Sequence, residues 1–165
     1  MRNLRWLLSV LILFLPMLSR AENICPWLNQ ATASGVLGGP ASASVENGPS
    51  GEANCFFHFQ KGSAVYDLRI KVDRMKDSSV EFGSYKTLCG SDGVPLHAIG
   101  NEAVLCNIQR NSEGIVQGEQ VVGRVRDRAF IVSVSTNAGG DRSMSMDVLK
   151  EKARSVAEQV AGALF

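Results

Sequence analysis

The clearest pattern along the chain is the alternation of apolar and polar residues between positions 63 and 75. The apolar positions are Tyr66, Leu68, Ile70 and Val72, and the positions between them are Asp67, Arg69, Lys71 and Asp73. Side chains of a β-strand point alternately to opposite faces, so this segment predicts a strand with one apolar and one charged face. Together with residues 53–60 and the turn Lys61-Gly62, it predicts a hairpin in an antiparallel sheet that is covered on one face.

Weaker alternation elsewhere predicts further strands of the same sheet. They cover residues 41–45, 102–109, 119–125 and 129–136. The first alternates Ala with Ser and is a candidate edge strand, and the second places Val104, Cys106 and Ile108 inward. The last two form a second hairpin around Arg126-Asp127-Arg128.

Three segments have helical patterns. Asn29 can cap a short helix over residues 30–37 that Gly38 ends, and Ser78 with Glu81 forms a capping box for a second short helix that reaches Gly90. Residues 145–163 predict a long amphipathic helix. Its apolar positions are Leu149, Ala153, Val156, Val160 and Leu164. The order of elements predicts an α+β fold: an antiparallel sheet of five or six strands with its helices on one face, among them the short N-terminal and the long C-terminal helix.

The N-terminus has the pattern of a secretory signal peptide. Arg2 and Arg5 precede an apolar stretch that ends at Pro16, and Ser19-Arg20-Ala21 supplies small residues for cleavage after Ala21. We therefore predict a signal peptide over residues 1–21 and a single domain over residues 22–165, exported to a periplasmic or extracellular location. An uncleaved anchor is the alternative, although the apolar stretch is short for a membrane span.

Charge and cysteine content narrow the class of protein further. Of the 17 basic and 16 acidic residues, three basic residues precede position 22, so the predicted domain carries a net charge of −2, which argues against a nucleic-acid-binding protein. It also contains no stretch long and apolar enough for a stable membrane span. All four cysteines, Cys25, Cys55, Cys89 and Cys106, lie in this domain, and an even count in an exported chain predicts two disulfides.

Three disulfide pairings are open. We favour Cys25–Cys55 and Cys89–Cys106, because each pair links consecutive predicted elements. A zinc site is the alternative, but zinc ligands typically occur in close pairs, and these cysteines are widely spaced.

No motif identifies a catalytic, metal-binding or cofactor-binding residue. The candidate ligand-contacting residues are Trp27, Asn101, Glu102, Arg124 and Arg126, and each of them has a structural alternative as a helix anchor, a turn residue or an exposed hairpin charge. His58 alternates with Phe57 and Phe59, so it is expected on the polar side of the sheet. An active site could still form in three dimensions from His58, Asp67, His97 and Glu102.

Several short motifs resemble those of small bacterial cell-envelope proteins of unknown function. They are Val36-Leu37-Gly38-Gly39, Cys55-Phe56-Phe57, Gly100-Asn101-Glu102-Ala103 and the final helix from Ala153 to Leu164. The chain is similar to actinobacterial envelope lipoproteins and, more distantly, to extracytoplasmic sensor domains of bacterial serine/threonine kinases. The resemblance implies an α+β fold with a covered antiparallel sheet and a disulfide between the first two cysteines. Unlike the lipoproteins, this chain has no anchoring cysteine at the predicted cleavage site.

These observations favour an exported, non-catalytic binding or sensing module of the cell envelope that takes a small ligand, an envelope polymer or a protein, without a cofactor. Two alternatives stay open: an exported hydrolase whose polar residues converge only in the fold, and an accessory subunit that docks on another protein through an apolar patch.

Overall fold

A computed structural model describes residues 24–108, 117–139 and 141–165. The predicted signal peptide, its cleavage site and the end of the predicted strand at position 109 lie outside these ranges. The helices are α1 (Gln30–Leu37), α2 (Ser78–Lys86) and α3 (Met146–Leu164). The strands are β1 (Ser42–Asn47), β2 (Ala53–Lys61), β3 (Ala64–Arg74), β4 (Val94–Leu96), β5 (Glu102–Asn107), β6 (Gln117–Val125) and β7 (Arg128–Thr136). The α+β class is confirmed.

The strands form one antiparallel sheet in the order β1-β2-β3-β7-β6-β5-β4. Two meanders, β1 to β3 and β4 to β7, are joined where β3 pairs with β7. The prediction of five or six strands is wrong, because the sheet has seven strands in the described part of the chain. The missed strand is β4, whose three residues include Pro95 and are too few to show an alternating pattern.

One face of the sheet is covered by α1 and α3. The predicted apolar residues Leu68, Ile70 and Val72 of β3 are buried on this face, at 0 to 1% exposure. They share a core with Leu149 and Val156 of α3, which packs across β6 and β7, whereas α1 contacts β2 and β3. The amphipathic pattern of the last helix was therefore a correct guide to its buried side. We call this side of the sheet the helix-covered face.

The described residues also cover the opposite face, but only over half of its width. Phe82 of α2 packs with Cys106, Val122 and Ala129 against β5, β6 and β7. The prediction that all helices lie on one face is wrong for α2. Tyr85 fastens α2 to β3, because its hydroxyl donates to Asp73 Oδ2 at 3.0 Å.

The inward set predicted for β5 needs a correction of the same kind. Val104 and Cys106 lie on the side covered by α2, while Ala103 and Leu105 belong to the core under the other two helices. Ile108 falls after the end of β5 at Asn107. The alternation along β5 correctly divides its side chains between the two faces of the sheet. It does not indicate which face has the larger core, because both sets of side chains are apolar.

Both favoured disulfides are present. Cys25–Cys55 ties the segment before α1 to β2, and Cys89–Cys106 ties the 3-10 helix after α2 to β5. Each one fastens a covering segment to a strand beneath it. Among the helices in the described ranges, none is both long and apolar enough to cross a bilayer.

Candidate ligand-binding face

The half of the second face that α2 leaves uncovered belongs to β1, β2 and β3. Its central side chains come from strand pairs in register: Ser42 lies opposite His58, Ser44 opposite Phe56, His58 opposite Asp67, and Phe56 opposite Arg69. We call these residues the open face. They are Ser42, Ser44, Phe56, His58, Asp67 and Arg69.

His58 and Asp67 form a direct pair across β2 and β3. The distance from His58 Nδ1 to Asp67 Oδ1 is 2.8 Å, and the two side chains are 34% and 18% exposed. The carboxylate therefore fixes the orientation of the imidazole ring while part of the ring stays accessible. The prediction that His58 lies on the polar side of the sheet is confirmed.

Phe56 is the aromatic residue at the centre of the open face. Its ring lies 5.1 Å from the guanidinium carbon of Arg69, within cation–π range, and 6.0 Å from the ring of His58. A hollow of 450 Å³ lies on the His58 side of Phe56, lined by Ser42, Ser44 and Asp67 among others. A second hollow of 520 Å³, which includes Arg69, lies on its other side.

Two close pairs of ionisable side chains lie on and beside the open face. Lys71 Nζ lies 2.7 Å from Asp73 Oδ2, further along β3 and beyond Arg69 from the pair of His58 and Asp67. Within the described ranges there is no group of three or more His, Cys, Asp or Glu side chains that could hold a metal ion. The face thus combines an aromatic surface with hydroxyl, imidazole, carboxylate and guanidinium groups, which can donate and accept hydrogen bonds in several directions.

Two of the predicted ligand-contacting residues, Glu102 and Arg124, are engaged with each other and with α2. Glu102 accepts from Lys86 Nζ at 2.8 Å and lies 3.5 Å from Arg124 Nε. The hydrogen bond from Lys86 is the main cause that lowers the pKa of Glu102, with a smaller contribution from Arg124. Lys86 and Arg124 also lie over the ring of Phe82. This network fastens α2 to the sheet.

Asn101 and Arg126 meet at the tip of the β6–β7 hairpin. The Arg126 amide donates to Asn101 Oδ1 at 2.6 Å, and the Asn101 amide donates to the Arg124 carbonyl at 2.8 Å. Arg126 has a φ of 53°, and its guanidinium lies 5.9 Å from the ring of Phe165. Asn101 therefore acts as a turn residue that holds a left-handed backbone in place.

Trp27 and His97 do not join the other candidates. Trp27 is partly buried against the core under α1 and α3, so it serves as an anchor for the N-terminal segment. His97 is exposed in the loop after β4. The hydrolase set does not converge either, since His58 on β2 and Glu102 on β5 are four strand positions apart, about 19 Å at the usual strand spacing.

Of the open-face residues, Ser42, Ser44, Phe56 and Arg69 were missed by the sequence analysis. One signal was available. Lys61 lies opposite Ala64 across the tight turn, which sets the register of the hairpin and brings Phe56 opposite Arg69 and His58 opposite Asp67.

In comparisons with known proteins, no family model, no curated protein and no solved structure matches this chain.

Proposed function

We propose that the protein is an exported, non-catalytic binding module of the bacterial cell envelope and that its ligand occupies the open face. One observation carries this proposal. Of the uncovered sheet surface, the part around Phe56 combines an aromatic ring, two flanking hollows and an oriented pair of His58 and Asp67. Binding sites commonly have this composition: an apolar surface with a few polar groups that fix the orientation of the ligand.

The chemistry of the face favours an envelope glycan as the ligand. Asp67 is paired with His58, and Lys71 is paired with Asp73, so a strongly charged ligand finds little unpaired charge at these four residues. A sugar ring has an apolar side that suits the Phe56 ring and hydroxyl groups that suit His58, Asp67 and the serines of β1. The two hollows on either side of Phe56 can take successive units of a polymer.

Export is part of the same proposal. The two disulfides are typical of an oxidising compartment, and the predicted signal peptide supplies a route to it. The resemblance to cell-envelope proteins of unknown function stays a prediction. The envelope localisation rests on these three supports together.

An exported hydrolase is the second candidate function. It is favoured by the contact of Asp67 with His58 Nδ1, because a carboxylate in this position is what orients a general-base histidine. The hydroxyl of Ser42, the residue opposite His58 on β1, argues for binding instead, since Ser42 Oγ donates to the backbone carbonyl of His58 at 3.2 Å and not to its ring.

Titration of the isotope-labelled protein with soluble glycan fragments of peptidoglycan, followed by NMR, tests the proposal. Amide shifts are expected on β1, β2 and β3. Phe56→Ala is expected to weaken binding about tenfold or more, since an aromatic anchor is lost. Phe165→Ala is the matched control, because Phe165 is an exposed phenylalanine at the C-terminus and far along the chain from the open face. Equal effects of both variants, or shifts confined to other strands, would overturn the proposal.

The same samples separate binding from catalysis. A binding module leaves the fragments intact, and His58→Ala weakens binding without any chemical change in the ligand. A hydrolase releases smaller fragments over time, and Asp67→Asn and His58→Ala each abolish that release.

A further inference from the structure

The outer edge of β1 carries backbone groups, in a regular pattern, that no described residue pairs. The Gly48 amide donates to the Glu52 carbonyl at 2.9 Å, one step beyond the register pair Asn47 and Ala53. Gly48 and Glu52 are therefore a hydrogen-bonded pair. Because hydrogen-bonded and non-hydrogen-bonded pairs alternate along an antiparallel ladder, every second residue before Gly48 also bonds to β2: Glu46, Ser44 and Ser42. The amide and carbonyl groups of the intervening residues, Ala43, Val45 and Asn47, therefore point away from the sheet.

The residue before β1 confirms this phase. Ala41 follows the same alternation, and its outward groups are bonded by α1: Gln30 Nε2 donates to the Ala41 carbonyl at 2.6 Å, and the Ala41 amide donates to Ser34 Oγ at 3.0 Å. Nothing in the described ranges bonds the outward groups of Ala43, Val45 and Asn47. The protected part of the edge thus ends at Ala41.

The opposite edge of the sheet is protected against pairing with a further strand. There, β4 is three residues long and includes Pro95, which has no amide to offer a further strand. By contrast, β1 has six residues, contains neither proline nor lysine, and has Glu46 as its one charged residue. An exposed edge strand without such protection can pair with a strand of another chain.

We propose that β1 pairs with β1 of a second copy of this chain, antiparallel and centred on Val45. A two-fold axis perpendicular to the sheet puts Val45 opposite its counterpart and Ala43 opposite Asn47 of the second copy. This register uses all three outward residues, leaves the groups of Ala41 with α1, and forms about six inter-strand hydrogen bonds. A peptide from another protein would gain the same backbone bonds. In self-pairing, however, the three outward residues of one copy also find their partners in the same three residues of the second copy.

The side chains agree with this register. Glu46 lies opposite Ser44 of the second copy, so no like charges oppose each other directly. On the helix-covered face, Val45 borders a hollow of 480 Å³ that Ile24 and Leu28 also line. Ile24 is 67% exposed, and the second copy's Val45 would approach this apolar edge. The inference is independent of the proposed function.

Sedimentation or light scattering of the purified, disulfide-bonded protein over a range of concentrations tests the dimer. Ala43→Pro removes an outward amide without touching the ladder to β2, and it should raise the dimer dissociation constant about tenfold or more, since the symmetric dimer loses two hydrogen bonds. Ser44→Lys should tighten the dimer several-fold by facing Glu46, and Ser44→Glu should weaken it by a similar factor. These two variants keep the test valid even where the proline variant folds poorly.

Hydrogen exchange gives a readout at single amides. Raising the protein concentration should slow exchange at Ala43, Val45 and Asn47 and leave Ser44 and Glu46, which already bond to β2, unchanged. A monomer at every concentration, a dimer that responds alike to both Ser44 variants, or concentration-dependent protection elsewhere would overturn the proposal.

Discussion

Gly123 and Phe130 give the sharpest test of the fold, because they lie directly opposite each other on β6 and β7. Phe130 is fully buried on the helix-covered face. A Cβ atom added at Gly123 would lie 2.2 Å from Cζ of the Phe130 ring and 2.8 Å from each of its Cε atoms. Because Gly123 has no side chain, the Phe130 ring can occupy the space directly over this position.

The cost of Gly123→Ala follows from these distances. Carbon atoms that are not bonded to each other pack at about 3.5 to 4.0 Å, so the ring must move by more than about 1 Å beneath α3. Overpacking of this kind costs typically about 1 to 3 kcal/mol. The loss of chain entropy in the unfolded state offsets roughly 0.4 to 1 kcal/mol of that figure. We expect a net destabilisation of about 1 to 2 kcal/mol.

Urea unfolding of the disulfide-bonded protein measures this change in the free energy of unfolding. In a Phe130→Leu background the Cζ and Cε atoms are absent, so Gly123→Ala should cost about 1 kcal/mol less there than in the wild type. The control is Gly83→Ala in α2, where an added Cβ meets nothing within 4 Å. That change should stabilise the protein by about 0.5 to 1 kcal/mol. Equal costs of Gly123→Ala in both backgrounds would show that the ring does not lie over position 123 and that the β6–β7 register is wrong.

Two further predictions concern export and pH. Mass determination of the exported protein should give residues 22–165 with two disulfides and no alkylatable thiol before reduction, and retention of residues 1–21 or four free thiols would contradict the proposed compartment. Burial raises the pKa of Glu119, which is fully buried on β6, so the folded chain holds this proton more tightly than the unfolded chain. Stability should then fall as pH rises from the unfolded pKa through the folded one. Glu119→Gln should flatten this fall and leave the protein more stable than the wild type at neutral pH, as urea unfolding at several pH values measures; parallel pH profiles would refute the assignment.

The parts of the fold that the sequence predicted are those with a local physical signal. The alternation around Leu68 and Ile70 reflects a strand with one dry face, and the spacing from Leu149 to Leu164 reflects a helix with one buried side. Asn29 and Gly38 delimit α1 as capping residues do: Asn29 Oδ1 accepts from the Thr32 amide at 2.8 Å, and Gly38 has a φ of 82°. Each of these signals lies within about one element.

The parts that the sequence did not predict depend on distant residues. The pairing of β3 with β7 joins segments that are some 60 residues apart, and no local pattern specifies it. The side that α2 covers depends on the same pairing, since Phe82 packs against strands that follow it in the chain. The candidate site has the same origin: alternation put His58 and Asp67 on the polar side, but the contact between them is a property of the hairpin register.

The open face and the outer edge of β1 lie on the same half of the sheet, and this placement links the two proposals. An axis perpendicular to the sheet keeps the same face of both copies on the same side, so the proposed dimer sets two open faces next to each other with the two β1 strands between them. A long polymer can then contact both copies at once, and its second contact forms at a high effective concentration. Long glycan fragments should therefore bind the wild type more tightly than Ala43→Pro, whereas short fragments that reach one face should bind both proteins equally. Equal binding of long fragments to both proteins would show that glycan binding at the open face does not depend on the proposed dimer.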